Sequence, residues 1–312
     1  MKTILKIISI TFLVVVLFSK ETAARDLWLK DIPLKQLQNL YNEIEYTGTK
    51  GYLMLPSYKY PSVFLKNFPT DYSKISDEAE RNALFIKILS PLALKINQAI
   101  LSERGLISEI NSNYEKNKKQ TSKELNILEK KASKYDIFTR LKASERTEFL
   151  LKELLTRIDV VPPSIMITAA AIETNWGTSR ITKEANSLYK TLVWHTDKGL
   201  KPQGETEDDS YRIKIYPDIY RSMEEFALKI NSHSVFSSMR NIRKERKARS
   251  NLVSGTLLAP YVYGNSMLSN YAGIFDYTIT YYELLVIDKS SLSDKVLTNN
   301  IIKKYSRYVT KM

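Results

Sequence analysis

Between residues 77 and 114 the apolar side chains Leu84, Ile88, Leu92, Ile96, Ile100, Ile107 and Ile110 recur at helical spacing. This period predicts a long helix. Pro91 should kink or split it, because proline lacks the amide hydrogen and crowds the preceding turn. Residues 115–135 are dense in charge (Lys116, Lys118, Lys119, Lys123, Glu124, Glu129, Lys130, Lys131), yet Leu125, Leu128 and Ala132 leave an apolar edge. A solvated helix or helical hairpin accounts for that pattern better than a polyanion site. Ser144 reads as an N-cap, followed by a stripe of Phe149, Leu150, Leu154, Leu155 and Ile158. Pro163 suits the first position of a further helix, Ala169, Ala170 and Ala171 favour it, and Gly177 is a natural stop. Tyr211, Ile213 and Ile215 alternate with Arg212 and Lys214, as in a half-buried strand. Residues 25–78, rich in Tyr and Pro and carrying Gly48 and Gly51, read as short elements joined by turns.

At the start of the chain, Lys2 and Lys6 precede an apolar or small run from Ile7 to Phe18, and then Thr22, Ala23 and Ala24. A basic start, a short apolar stretch and small residues at its end predict a secretory signal over residues 1–24. The run is short for a membrane span, which takes roughly 20 apolar residues. The expected location is therefore outside the cytoplasm, periplasmic or secreted, with an uncleaved N-terminal anchor as the alternative. Composition adds little to the fold but narrows the chemistry. The 312 residues are 43% hydrophobic and 26% charged and contain no cysteine, which excludes a disulfide scaffold, a thiolate metal site and a cysteine nucleophile. The formal net charge is +13; losing residues 1–24 removes three lysines and one glutamate and leaves +11. Such a chain suits polyanionic partners, and export makes cell-wall polymer or anionic lipid a better match than nucleic acid.

One carboxylate stands out. On a helix opened by Pro163, Ile165, Ala169, Ile172 and Trp176 form one stripe, with Glu173 at its margin. A carboxyl group at the end of an apolar helix beside an indole is partly buried, and burial favours its protonated form. A general acid needs that property. A surface glutamate at a helix end is the competing reading. The two histidines, His195 and His233, lack metal-ligand spacing and read as structural. Arg240, Arg243, Lys244, Arg246, Lys247 and Arg249 place six cations within ten residues. They read as a solvated helix face, or else as a face toward an anionic envelope surface.

The stretch I-E-T-N-W-G-T-S-R from Ile172 to Arg180 resembles the E-S-G-W-G-T-S-R motif of bacterial endo-β-N-acetylglucosaminidases of glycoside hydrolase family 73, and most nearly their Bax-like branch. R-I-D-V-V-P from Arg157 to Pro162 resembles the lead-in of that branch, and N-S-L-Y from Asn186 to Tyr189 its N-N-L-F. Tyr216, Ser222 and Phe226 fall on its aromatic–serine–aromatic pattern. Ile230 to Phe236 with Met239 to Arg243 resembles L-N-x-H-x-A-Y…L-R-x-x-R, and Phe85 to Pro91 with Asn97 and Arg104 resembles its N-terminal helical region.

The resemblance implies a mainly α, lysozyme-like catalytic domain with a small β-hairpin lobe, preceded by an N-terminal helical region. The implied divisions are a signal at 1–24, an irregular segment at 25–78, a helical accessory region at 79–143, the catalytic domain at 144–285 and a tail at 286–312. It implies a peptidoglycan hydrolase without a cofactor, cutting the β-1,4 bond after N-acetylglucosamine with Glu173 as acid. Trp176 would lie at the cleft floor, with plain core packing as its other reading, and Tyr189, Tyr263 and Tyr271 would lie against substrate; Tyr261 competes with the last two for one tyrosine position, where one register places Asn265. A second carboxylate would come from the β-lobe, where Glu207 and Glu205 are the candidates; the substrate's own acetamido group is the other route. Departures from the pattern are Lys190 for glycine, Ser187 for the second asparagine, and Thr168 with Ala169–Ala171 before the acid. The rival readings are a lytic transglycosylase, a catalytically weak wall-binding scaffold and a basic envelope-surface adaptor.

Overall fold

A forty-residue helix, α2 (Glu78–Asn117), organises the molecule in the computed structural model, which describes residues 26–47, 59–195, 198–202, 210–249, 251, 253–263 and 271–312. The expected signal over residues 1–24 lies outside the described residues. The side chain of Asp77 caps the first turn of α2 by accepting from the Glu80 amide, and Glu78 and Glu80 sit at the positive end of the helix dipole. The helix runs through Pro91 without splitting. Proline frees the carbonyl of Lys87, four residues back, and the buried hydroxyl of Tyr46 donates to that carbonyl at 3.0 Å. A tertiary hydrogen bond thus replaces the missing helical one. From Leu84 to Ile96 α2 is apolar and buried on nearly every side, with Lys87 and Lys95 as the half-buried exceptions. By length and hydropathy α2 could cross a membrane, but 72% of its most apolar window is buried inside the protein.

A four-residue turn leads from α2 to α3 (Ser122–Lys134), which opens on a capping box of Thr121 and Glu124; the charge-dense segment is the expected hairpin. Helix α4 (Ala143–Arg157) begins one residue before the expected cap, with Lys142 in the cap position and Ser144 inside the first turn. Helix α5 (Pro163–Thr174) is buried along nearly its whole length and packs against α2. After the short α6 (Arg180–Ala185), two strands, β4 (Leu192–Trp194) and β5 (Tyr211–Ile213), pair antiparallel with Val193 opposite Arg212. The alternation expected to continue along the strand stops at Ile213, and Ile215 is 53% exposed. Helices α7 (Ile219–Ser232), α8 (Ser237–Ala248), α9 (Gly255–Tyr263), α10 (Tyr271–Tyr281) and α11 (Leu285–Asp288) complete the helical body around α5.

The two ends of the described chain hold each other. β1 (Leu27–Leu29) pairs parallel with β3 (Val63–Leu65), and β2 (Lys59–Tyr60) pairs parallel with β6 (Ser291–Leu292). Glu43, at the end of α1 (Leu34–Glu43), accepts from Lys304 of α12 (Asn299–Lys304) at 2.6 Å and from the Tyr305 hydroxyl at 2.8 Å. Residues 286–312, expected as a tail, are thus docked onto residues 26–65. Among the described residues the architecture is mainly α with one small antiparallel hairpin, in keeping with a lysozyme-like fold.

Candidate active site

Glu173 lies in the last turn of α5, and the helix stops just beyond it in an unusual way. Asn175, Trp176 and Gly177 take positive φ in succession, 47°, 55° and 79°. Asparagine and glycine adopt this region readily, while for tryptophan it is strained by about 1–2 kcal/mol. Several bonds overdetermine the turn: the Trp176 amide reaches the Ala171 carbonyl at 2.9 Å, the Gly177 amide the Thr174 hydroxyl at 2.9 Å, and the Tyr72 hydroxyl the Trp176 carbonyl at 2.9 Å. A Cβ on Gly177 would also meet the Phe68 and Phe85 rings at 3.2 Å. The helix therefore ends before Trp176, which leaves the expected stripe. Its ring packs between Phe85 and Tyr282, at 5.5 and 4.6 Å between centroids, and not on the cavity that holds Glu173.

That cavity, of about 600 Å³, lies between the end of α5, the start of the β-hairpin, α7 and the end of the α3 hairpin. Glu173 is half-buried on its wall, and its Oε1 accepts a 2.7 Å hydrogen bond from the Tyr271 hydroxyl. Burial, and then Glu173 itself, raises the pKa of the Tyr271 phenol, keeping it a donor. Of the rival tyrosines, Tyr261 is 42% exposed, and Tyr263 ends α9 with a side chain outside the described residues. Tyr189 stacks on Phe226 with centroids 3.9 Å apart and planes 3° from parallel, and its hydroxyl donates to the Met166 carbonyl at 3.0 Å. Both rings line the cavity. Burial raises the pKa of the Tyr189 phenol as well.

Glu205 and Glu207 lie outside the described residues. Two acids that sequence reasoning missed, Asp136 and Glu225, share the cavity wall, with Glu225 paired to Lys214. His233, expected to be structural, lines the same cavity while its Nδ1 accepts from the Val235 amide at 3.3 Å, which leaves Nε2 as the donor of the neutral ring. Its place in the stretch from Ile230 to Phe236 was the signal that could have marked it. His195 stands exposed at the end of β4. The departures have physical consequences. Lys190 keeps a left-handed backbone, φ 46°, where the family pattern carries glycine. Ser187, in place of asparagine, has a buried hydroxyl without a partner among the described residues.

The basic run does not form a uniform surface. Arg243 is 1% exposed and donates to the carbonyls of Thr156, Arg157, Asp159 and Val160 and to Asn231 Oδ1, over 2.8–3.2 Å. Arg240, 3% exposed, donates to the carbonyls of Ile230 and His233. Lys247 pairs with Asp159. These three cations satisfy the carboxyl ends of α4 and α7 and the connection into α5, so the expected anionic-surface face is reduced mainly to Lys244 and Arg249, with Arg246 half-buried. Burial tends to raise the Asp159 pKa, but Arg243, Lys247 and Arg104 outweigh it and hold the carboxyl below its ordinary value.

Residues 150–288 match the glucosaminidase family described as mannosyl-glycoprotein endo-beta-N-acetylglucosaminidase. Protein bax of Escherichia coli K12 is 25% identical over 201 residues, covering 63% of this chain and 67% of that protein. No solved structure matches the chain significantly. With its motif, its helical body and a half-buried glutamate on a cavity wall, the chain is similar over residues 150–288 to the glucosaminidase family and over a longer stretch to Protein bax.

Proposed function

We propose that the protein is an exported peptidoglycan hydrolase that cuts the β-1,4 bond after N-acetylglucosamine, with Glu173 as general acid. The supporting observation is Glu173 on the wall of an aromatic-lined cavity, with its carboxyl group hydrogen-bonded from behind that lining by Tyr271. The Tyr271 hydroxyl holds one carboxyl oxygen and leaves the other to carry a proton to the departing glycosidic oxygen. A partly desolvated carboxyl group performs that transfer well. Tyr189 and Phe226 offer flat faces to sugar rings on the same wall. The partner carboxylate, as base or nucleophile, is drawn from Glu205 and Glu207, with Glu225 and Asp136 as the other acids on the cavity wall.

Glu173→Gln should abolish muropeptide release from purified sacculi while leaving the thermal midpoint within a few degrees of wild type. Mass spectrometry of wild-type products should find reducing N-acetylglucosamine ends. Anhydro-sugar ends would replace hydrolysis by transglycosylation, and an inert wild type would leave a wall-binding scaffold.

A further inference from the structure

Next to the Glu173 cavity lies a second one, of about 480 Å³, between α2, the end of α3, the connection from β5 into α7, and α7 itself. Lys134, Glu225 and Leu228 line both, so the two are adjoining chambers with a common wall. Their linings differ in kind. The first offers the stacked rings of Tyr189 and Phe226 beside the acid. The second has an aliphatic floor of Ile96, Ile100 and Leu228, with the side chain of Ile215 standing 53% exposed at its rim.

Charges of both signs line the second chamber in pairs: Lys134 with Glu103, Lys214 with Glu225, and Arg221 with Glu224. In the last two pairs every group is 38–43% exposed. Ion pairs so well solvated are weakly held, so each member can exchange its partner for a ligand's carboxylate or ammonium. A neutral sugar ring is served by a flat aromatic face and finds none exposed here, because Tyr135 and Tyr216 are buried. An aliphatic floor ringed by cations and anions instead suits a short peptide with methyl side chains, free carboxylates and an amine.

Peptidoglycan is a branched polymer whose alternate sugars carry such a peptide. Resting on the reading of the Glu173 cavity as the glycan site, we infer that the second chamber binds the peptide branch while the glycan lies in the first. The shared wall of Lys134, Glu225 and Leu228 marks where the branch crosses.

Three probes test this on the Glu173→Gln protein, which cannot consume them: the disaccharide tetrapeptide of the wall, the same disaccharide without its peptide, and the free tetrapeptide. Calorimetry should find the peptide-bearing disaccharide bound roughly ten-fold more tightly than the bare one. Adding Ile215→Asp and Arg221→Glu, both at exposed positions, should remove that advantage and weaken the free tetrapeptide. Equal affinity for the two disaccharides, or an advantage that survives the added substitutions, overturns the inference. Binding of the tetrapeptide alone, sensitive to these substitutions while the bare disaccharide does not bind, supports the chamber and instead overturns the glycan reading.

Discussion

Glu173 and Tyr271, 98 positions apart in sequence, meet through a single 2.7 Å hydrogen bond. A hydrogen bond to a charged group contributes about 1.5–3 kcal/mol, or a rate factor of roughly 10 to 150 if it counts mainly in the transition state. Tyr271→Phe should therefore lower kcat on soluble glycan fragments within that range and leave KM little changed; an unaltered kcat would remove Tyr271 from the site. Lys190 tests a different residue-scale point. Its φ of 46° suits glycine, and the side chain is exposed. Relief of left-handed strain, about 1–2 kcal/mol, should exceed the added backbone entropy of glycine, about 0.5–1 kcal/mol. Lys190→Gly is thus expected to raise the urea midpoint. At this scale the sequence was informative about Glu173, whose flanking motif is local. About His233 it offered only the family-like stretch around it, and it was uninformative about Asp136 and Glu225, because nothing in their immediate neighbours shows that the folded chain turns them to the same cavity.

Between elements, the decisive side chain is Asp288. Its Oδ1 accepts from the Ser164 amide at 2.9 Å, and its Oδ2 from the Ser164 hydroxyl at 2.7 Å and the Gly255 amide at 2.9 Å. One carboxylate thereby caps the starts of both α5 and α9. A Cβ on Gly255 would come within 2.0 Å of the Ser164 hydroxyl, so only glycine lets the two helix starts approach. Burial pushes the Asp288 carboxyl up to about 6, against the pull of those donors and Lys289. An acid whose folded pKa lies above its unfolded one adds stability that is full below about 3.8 and lost as pH rises through about 6. Asp288→Asn, neutral throughout, should flatten that trend. The stability of wild type relative to the variant is expected to fall by about 3 kcal/mol, to order of magnitude, between pH 4 and pH 7. Urea melts at both values measure it, and a constant difference would contradict it. Sequence periodicity located α5 well, since Pro163 and an apolar run are local signals. Its capping partner was not legible, because that partner lies 124 residues further on.

For the molecule as a whole, Arg243 ties α4, α7, α8 and the entry to α5 into one unit, with five acceptors around a guanidinium that burial lowers to about 10 and thus still leaves charged. Arg243→Met should destabilise the protein by about 3–5 kcal/mol, because it strands buried carbonyls and unbalances Asp159. Charge reversal at the exposed Lys244 and Arg249 should stay within about 0.5 kcal/mol. Denaturant unfolding separates the two classes. In the sequence all these cations looked alike, since a run of charge does not reveal which members face inward. Sequence alone determined the helical character of the chain, its long central helix and the apolar helical segment that opens at Pro163 and stops by Gly177. These depend on periodicity, capping and chain stiffness, which act over a few residues. Only the tertiary structure decided that Pro91 would not split its helix, that Trp176 would turn away from the cavity, that Arg240 and Arg243 of the basic run would cap carbonyls and that the two ends of the described chain would clasp. Each of these is settled by burial and hydrogen-bond satisfaction between segments far apart in the chain, and such partners become neighbours only once it has folded.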